Sequence, residues 1–340
     1  MSNSEDLEGK FVLAVVGVGL LGGSVALAAR QFGVVQHVVG IGRDAARLQA
    51  AVDAGIIDEF CTEPTEDHAY WDMVVVATPV DRIATDVRKI ARISLPGTII
   101  TDVGSVKADI CESIGAEPAP GVFFVGSHPM AGSEKRGFET ARGDLFIDRV
   151  VVVTPDKRTE NEALELVTEF WTLIGSRVVT RPAQQHDEAV ATTSHVPHVA
   201  ASALASLLWE DQHDLAANGF RDTTRVAAGD PDLWTAILKS NSEAVLPSLR
   251  TFIESLELFE DALENGDAKQ LKLLLDLGKK NRDALDLEPC AAPLDDEDDD
   301  DEHDEHDEHD EHDEHDDDQQ SEVSDSDAAE LSDVEDSELM

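Results

Sequence analysis

Five short segments of this 340-residue chain carry residue types and spacings that suit chemistry. The first is Gly17-Val18-Gly19-Leu20-Leu21-Gly22, a G-x-G-x-x-G turn between the apolar run 11–16 (FVLAVV) and a helix-like stretch from Leu20 to Phe32. In that setting Gly17 permits a tight turn, Gly19 lets the backbone approach a pyrophosphate, and Gly22 lets the helix pack closely on the strand. The helix N-terminus then offers unpaired N–H groups and the positive end of its dipole to phosphates. The next apolar run, Val38 to Ile41, leads into Gly42-Arg43-Asp44. An NAD site usually holds Asp or Glu there, about 20 residues beyond the glycines, to bond the ribose 2′-hydroxyl. Here Gly42 falls at that position and Arg43 follows. A small residue and a guanidinium suit a 2′-phosphate instead, so NADP is expected over NAD. In the alternative, Asp44 supplies the acid and Arg43 is a surface charge. Leu20, Leu21, Thr78 and Pro79 complete the expected cofactor contacts. The other four segments are 101–107 (TDVGSVK), 127–138 (SHPMAGSEKRGF), 194–198 (SHVPH) and 218–234 (NGFRDTTRVAAGDPDLW).

Together with GVGLLGGS at 17–24, these segments resemble the prephenate/arogenate dehydrogenase family of tyrosine biosynthesis. The resemblance covers roughly residues 11–285 and keeps the family's motif order. It implies oxidative decarboxylation of a cyclohexadienyl ring: hydride leaves the carbon bearing the hydroxyl, carbon dioxide leaves, and the ring becomes aromatic. It assigns His128 as acceptor of the hydroxyl proton, a role that suits the basicity of a neutral imidazole. Ser105 then bonds the hydroxyl or orients His128, while Asp102 and Lys107 hold the loop's shape. Glu134 matches a position of gating and substrate contact. Arg225 is the first choice for a substrate carboxylate, since a guanidinium binds one bidentately. Arg221 lies four residues earlier. Ser194 and His198 share a helix face at i and i+4 and are expected to bind substrate. Pro197 should kink that helix. Asp222 and Trp234 support the site, and no metal is assigned. Prephenate and arogenate differ only in a keto or amino side chain, and both stay open; NADP use leans toward arogenate or toward both.

These residues need elements to hold them. Runs at 73–77 (MVVVA), 97–102 (GTIITD), 122–126 (VFFVG), 149–154 (RVVVVT) and 176–180 (SRVVT) read as strands, with helices over Asp81–Ile93 and Glu160–Ile174. That alternation predicts an α/β, Rossmann-type, doubly wound and mostly parallel sheet over 1–181. His128 then falls in a loop after the strand 122–126, on the same sheet edge as the glycine turn. From 182 to 290 the chain reads as all-helical, with helices over Gln184–Glu210, Ser242–Glu264 and Asp267–Leu285. Their Leu-rich faces pack on one another or on a second subunit, and a homodimer through this domain is the expectation. Residues 291–340 read as a disordered acidic tail. The tail includes the repeat EHDEHDEHDEHDEHD at 302–316, whose histidines are 303, 306, 309, 312 and 315. Such a tract also suits weak binding of divalent metal.

The formal net charge is −46. Leu294 to Met340 holds 27 acidic and no basic residues, leaving −19 on the first 293. This balance argues against nucleic-acid partners, which need Lys and Arg for phosphates, and against anionic membranes. Phe11 to Ala29 lacks charge, but its glycines and the acidic residues before it fit neither a membrane span nor a signal peptide. Three widely spaced cysteines suit a reducing compartment, and a cytoplasmic protein is expected. Two other readings remain. A β-hydroxyacid or imine reductase would want a catalytic lysine in the long helix, and none occurs between Lys157 and Lys239. A metal-binding or scaffolding protein would act through the His/Asp tail.

Overall fold

The apolar, β-branched runs become strands of one sheet, because strands buried on both faces need no polar alternation. The computed structural model describes residues 11–132 and 137–287. The strands are β1 (Val12–Val16), β2 (His37–Ile41), β3 (Glu59–Cys61), β4 (Met73–Val76), β5 (Ile99–Asp102), β6 (Phe123–Pro129), β7 (Val150–Thr154) and β8 (Arg177–Thr180). They lie in the order β3-β2-β1-β4-β5-β6-β7-β8, parallel throughout except between β6 and β7. Strand order reverses between β1 and β4, and ligands of open α/β sheets bind beyond the carboxyl ends at such a point. Val16 pairs with both Ile41 and Val76, and Val76 with Asp102. The loops after β1, β2, β4 and β5 therefore leave from one edge.

Helices α1 (Leu20–Gln31), α2 (Ala45–Asp53), α3 (Val80–Ala91), α4 (Ala108–Ile114) and α5 (Asn161–Leu173) cover the sheet. Leu13, Val15 and Val75 point into a core with α1, α2 and α5, while Ala14, Val74 and Ile100 point into a second core with α3 and α4. Each fully buried Val, Leu or Ile contributes ~1.5–3 kcal/mol. The uncharged stretch from Phe11 to Ala29 is thus a buried strand, a turn and a helix. Among the described residues no helix is long and apolar enough to cross a membrane.

The structure departs from the sequence reading at two places that matter for the site. Strand β6 runs on to Pro129, so His128 lies on a strand rather than in a loop after it. Antiparallel pairing with β7 is the reason: Ser127 pairs with Val153 and His128 with Val152. The expected helix Gln184–Glu210 is α6 (Ala183–Val190), a π turn (Ala191–His195) and α7 (Val196–Ser206). Pro197 lacks the N–H that would bond Thr193 and its ring crowds that carbonyl. The chain widens by one residue just before it, where the Val196 amide donates to Ala191.

The remaining helices are α8 (Asn218–Thr224), α9 (Pro231–Ser240), α10 (Ser242–Glu264) and α11 (Ala268–Leu287), with a 3₁₀ turn at Arg225–Ala228. Asp230 caps α9 by accepting from the Asp232 and Leu233 amides. Ile237 and Trp234 of α9 pack into the core beneath α3, so the helical region is seated on the sheet domain. Described residues up to Leu277 form one compact unit, and the described chain from Gly278 is the C-terminal end of α11. The expected disordered tail, with its histidine repeat and Cys290, lies outside the described residues.

Candidate active site

The glycine turn builds one side of a cleft. Gly17 has φ +93°, and a Cβ there would meet the Ala77 carbonyl at 2.8 Å. A Cβ on Gly22 would lie 2.2 Å from the Gly17 carbonyl oxygen, so only glycine lets α1 start this close to the turn. A Cβ on Gly19 would meet nothing within 4 Å, and that open side faces an uncapped start of α1. Gly17, Gly19, Arg43, Thr78 and Pro79 line one cleft of about 950 Å³ beyond the carboxyl ends of β1, β2 and β4. Leu20 and Leu21 occupy the first turn of α1 and are half-buried. The Thr78 hydroxyl is buried without a hydrogen-bond partner among the described residues. An orphaned buried donor beside a glycine cradle and a free helix N-terminus fits a dinucleotide. Arg47, Arg82 and Lys89 also line the cleft, and Arg82 pairs with Asp86. The Asp44 carboxylate caps α2, accepting from the Ala46 and Arg47 amides at 3.0 and 3.1 Å.

A second group lies at the end of β6. Alternation along this strand sends Ser127 toward α5, where its Oγ accepts from the Trp171 indole at 3.0 Å. It sends His128 to the opposite face, toward α4 and α6. There His128 Nδ1 is 2.8 Å from His186 Nε2, and the rings meet edge to face. His186 Nδ1 is 2.7 Å from Asp187 Oδ1. Asp187 in turn accepts the amides of Lys107 and Ala108 at 2.8 Å each. Beneath them Lys107, fully buried, donates to the buried Asp102 carboxylate and to the Ser127 carbonyl at 3.0 Å. Withdrawal from water, reinforced by the nearby charges of His186, Lys107 and His195, holds His128 well below the ordinary histidine range. It is therefore neutral at neutral pH. His198 stacks on Trp234 with centroids 3.5 Å apart, and its buried Nδ1 has no partner among the described residues.

The dinucleotide cradle agrees with what the chain is similar to. Residues 25–180 match the family model for the prephenate dehydrogenase nucleotide-binding domain, and 182–277 match that for the prephenate dehydrogenase dimerization domain. The chain belongs to the prephenate dehydrogenase family. Prephenate dehydrogenase of Bacillus subtilis is 30% identical over 288 residues, covering 82% of this chain and 77% of that one. The crystal structure of prephenate dehydrogenase from A. aeolicus, in complex with hydroxyphenyl propionate and NAD+, superposes with a TM-score of 0.73. Its identity is 31%, covering 81% of this chain and 98% of that one. Arogenate dehydrogenase of Synechocystis gives a TM-score of 0.70 at 28% identity, covering 81% of this chain and all of that one.

The residues expected from the prephenate dehydrogenase resemblance are not all joined in the fold. Ser105 is half-buried in the loop after β5, within the segment that Asp102 and Lys107 tie down. Ser194 sits half-buried in the π turn and has no hydrogen bond to His198. It is His195 that turns inward, 3.0 Å from Asn241 Nδ2. Arg225 and Arg221 are exposed: Arg221 donates to the Ala216 carbonyl, and Arg225 makes no ion pair among the described residues. Glu134 lies outside the described residues. The sequence reading missed His186, Asp187 and Asn241. An adjacent His-Asp pair near a helix start was the one available signal, and Asn241 left none.

Proposed function

We propose that this chain catalyses the NADP-dependent oxidative decarboxylation of prephenate or arogenate. The observation that carries the reading is the placement of His128, neutral and at the end of β6, on the sheet that forms the dinucleotide cleft. When bound, the oxidised nicotinamide supplies the hydride acceptor. His128 takes the proton of the ring hydroxyl as the C–H bond breaks, leaving the O–H electron pair to form the carbonyl. Loss of carbon dioxide then leaves the electron pair of the broken C–C bond in the ring, the carbonyl pair returns to oxygen, and the proton goes back to that phenolate oxygen. Ser105 bonds the same hydroxyl. His198, Ser194, Arg225, Arg221 and Glu134 bind the substrate's carboxylates and side chain, with the unpartnered His198 Nδ1 facing a substrate oxygen. In this reading 1–181 hold the cofactor and 182–290 hold the substrate and the partner subunit; the match of 25–180 to a nucleotide-binding domain and of 182–277 to a dimerization domain supports the cofactor and partner parts of it.

Three observations support NADP. Gly42 leaves space, Arg43 and Arg47 line the cleft, and Asp44 is engaged in capping α2. A homodimer formed in the cytoplasm completes the reading. The test is a steady-state assay of prephenate and arogenate, each with NAD and NADP. Charged hydrogen bonds contribute about 1.5–3 kcal/mol, so Arg43→Ala should lower kcat/KM for NADP by roughly 10- to 100-fold and leave that for NAD unchanged. A clear preference of the unmutated enzyme for NAD overturns the cofactor assignment. His128→Asn should lower kcat by about 10²–10⁴-fold; turnover within about tenfold of the unmutated enzyme overturns the base assignment.

A further inference from the structure

We infer that His186 and Asp187 are positioning residues that set the tautomer of His128. The inference rests on the reading of His128 as the base and says how the fold prepares it. Both Asp187 oxygens already accept backbone amides: Oδ1 from Lys107 and Oδ2 from Ala108. A carboxylate held this way is an acceptor, so His186 Nδ1 at 2.7 Å donates to it. His186 Nε2 then carries a lone pair and accepts from His128 Nδ1 at 2.8 Å. That leaves the lone pair of His128 on Nε2, the one nitrogen outside the chain of bonds and free to face a substrate. When the hydroxyl O–H bond breaks, the new N–H bond forms at Nε2 and the electron pair stays on oxygen. The resulting imidazolium is stabilised through His186 by the Asp187 charge, as an orienting carboxylate does for the base of a catalytic triad.

The chain of bonds also spans the fold. His128 belongs to β6, whereas His186 and Asp187 belong to α6. Asn241, between α9 and α10, donates to the Asp187 carbonyl at 2.9 Å and meets His195 Nδ1 at 3.0 Å. The base on the sheet is therefore oriented by the helical region, and only the docked fold holds it ready.

The tautomer is read directly by ¹⁵N NMR of the full-length protein labelled at histidine, with His128→Asn used for assignment. The expected result at pH 7.5 is protonated Nδ1 and bare Nε2 on His128; the opposite tautomer overturns the inference. The second arm uses His186→Phe and Asp187→Asn, checked for folding by circular dichroism and by NADP affinity. In whichever folds, kcat should fall more than tenfold with KM for substrate within about threefold, since a positioned base is worth about 10²–10⁴. A folded variant whose kcat stays within tenfold overturns it. If the unmutated chain turns over neither prephenate nor arogenate, the functional reading fails, and the NMR arm still decides the tautomer.

Discussion

At the residue scale four histidines, 128, 186, 195 and 198, are drawn into the fold, and burial lowers the pKa of three of them, His128, His195 and His198. His195 is 1% exposed. Burial is the largest influence on it and lowers its pKa; Asp187 opposes, while His186 and His198 add to the lowering, and the result is about 4. The unfolded chain holds that proton at an ordinary value of ~6.5. Between these values the unfolded state binds more protons than the folded state. Stability from neutral His195 is therefore present above pH 6.5 and lost as pH falls toward 4. His128, lowered in the same direction, adds to the loss. Thermal unfolding of the unmutated protein should show Tm falling steeply over that window. His195→Gln should flatten the slope, and an unchanged slope would remove His195 from the account. His128 was legible in the sequence because its neighbours, SHPMAG, form a dense motif. His186 and Asp187 were not, because their roles depend on reaching His128 and the Lys107 amide, 58 and 80 residues away in sequence.

Elements decide how tightly those residues are held. The start of α1 tolerates no Cβ at Gly22, where one would sit 2.2 Å from the Gly17 carbonyl, yet has room for one at Gly19. Gly22→Ala is expected to cost about 1–3 kcal/mol by overpacking, seen as a lower Tm together with weaker dinucleotide binding. Gly19→Ala should keep the Tm of the unmutated protein, because a Cβ there meets nothing within 4 Å, and still weaken dinucleotide binding, measured by titration calorimetry, if that open side admits the pyrophosphate. Equal Tm losses for the two would contradict this division. Seven of the eight strands and the helices α1, α3, α5, α10 and α11 followed from apolar runs and helical spacing, and α10 has the bounds read from the sequence, whereas β3, α2, α4, α8 and α9 were not read. Two boundaries did not follow. Extension of β6 through His128 needed β7 as a pairing partner. Proline at 197 announced a disturbance in the long helix, but its form, a π turn that buries His195, depends on the helices packed around it.

Across the whole molecule, apolar surface is concentrated on the helical region. Leu246, Ile253, Leu256 and Leu263 of α10 are exposed, from 46% to 66%, and their spacing of seven, three and seven puts them on one helix face. A contiguous apolar stripe of this kind marks an interaction site, and this segment lies in the part matched to a dimerization domain. Light scattering should give twice the chain mass for the unmutated protein. Ile253→Asp with Leu256→Asp should give a monomer, because each buried charge would lack a partner; a dimer that survives both changes places the interface elsewhere. The charge of −46 has its densest part, −27, after residue 293, beyond both matched domains. The amino-acid sequence by itself determined the α/β class and the glycine turn and singled out His128 through its motif, because hydrophobic period and glycine chemistry are local. Tertiary structure decided which side chains reach that histidine, because the partners that orient it come from a helix and a loop distant in sequence. They meet only when α6, α4 and β6 pack together.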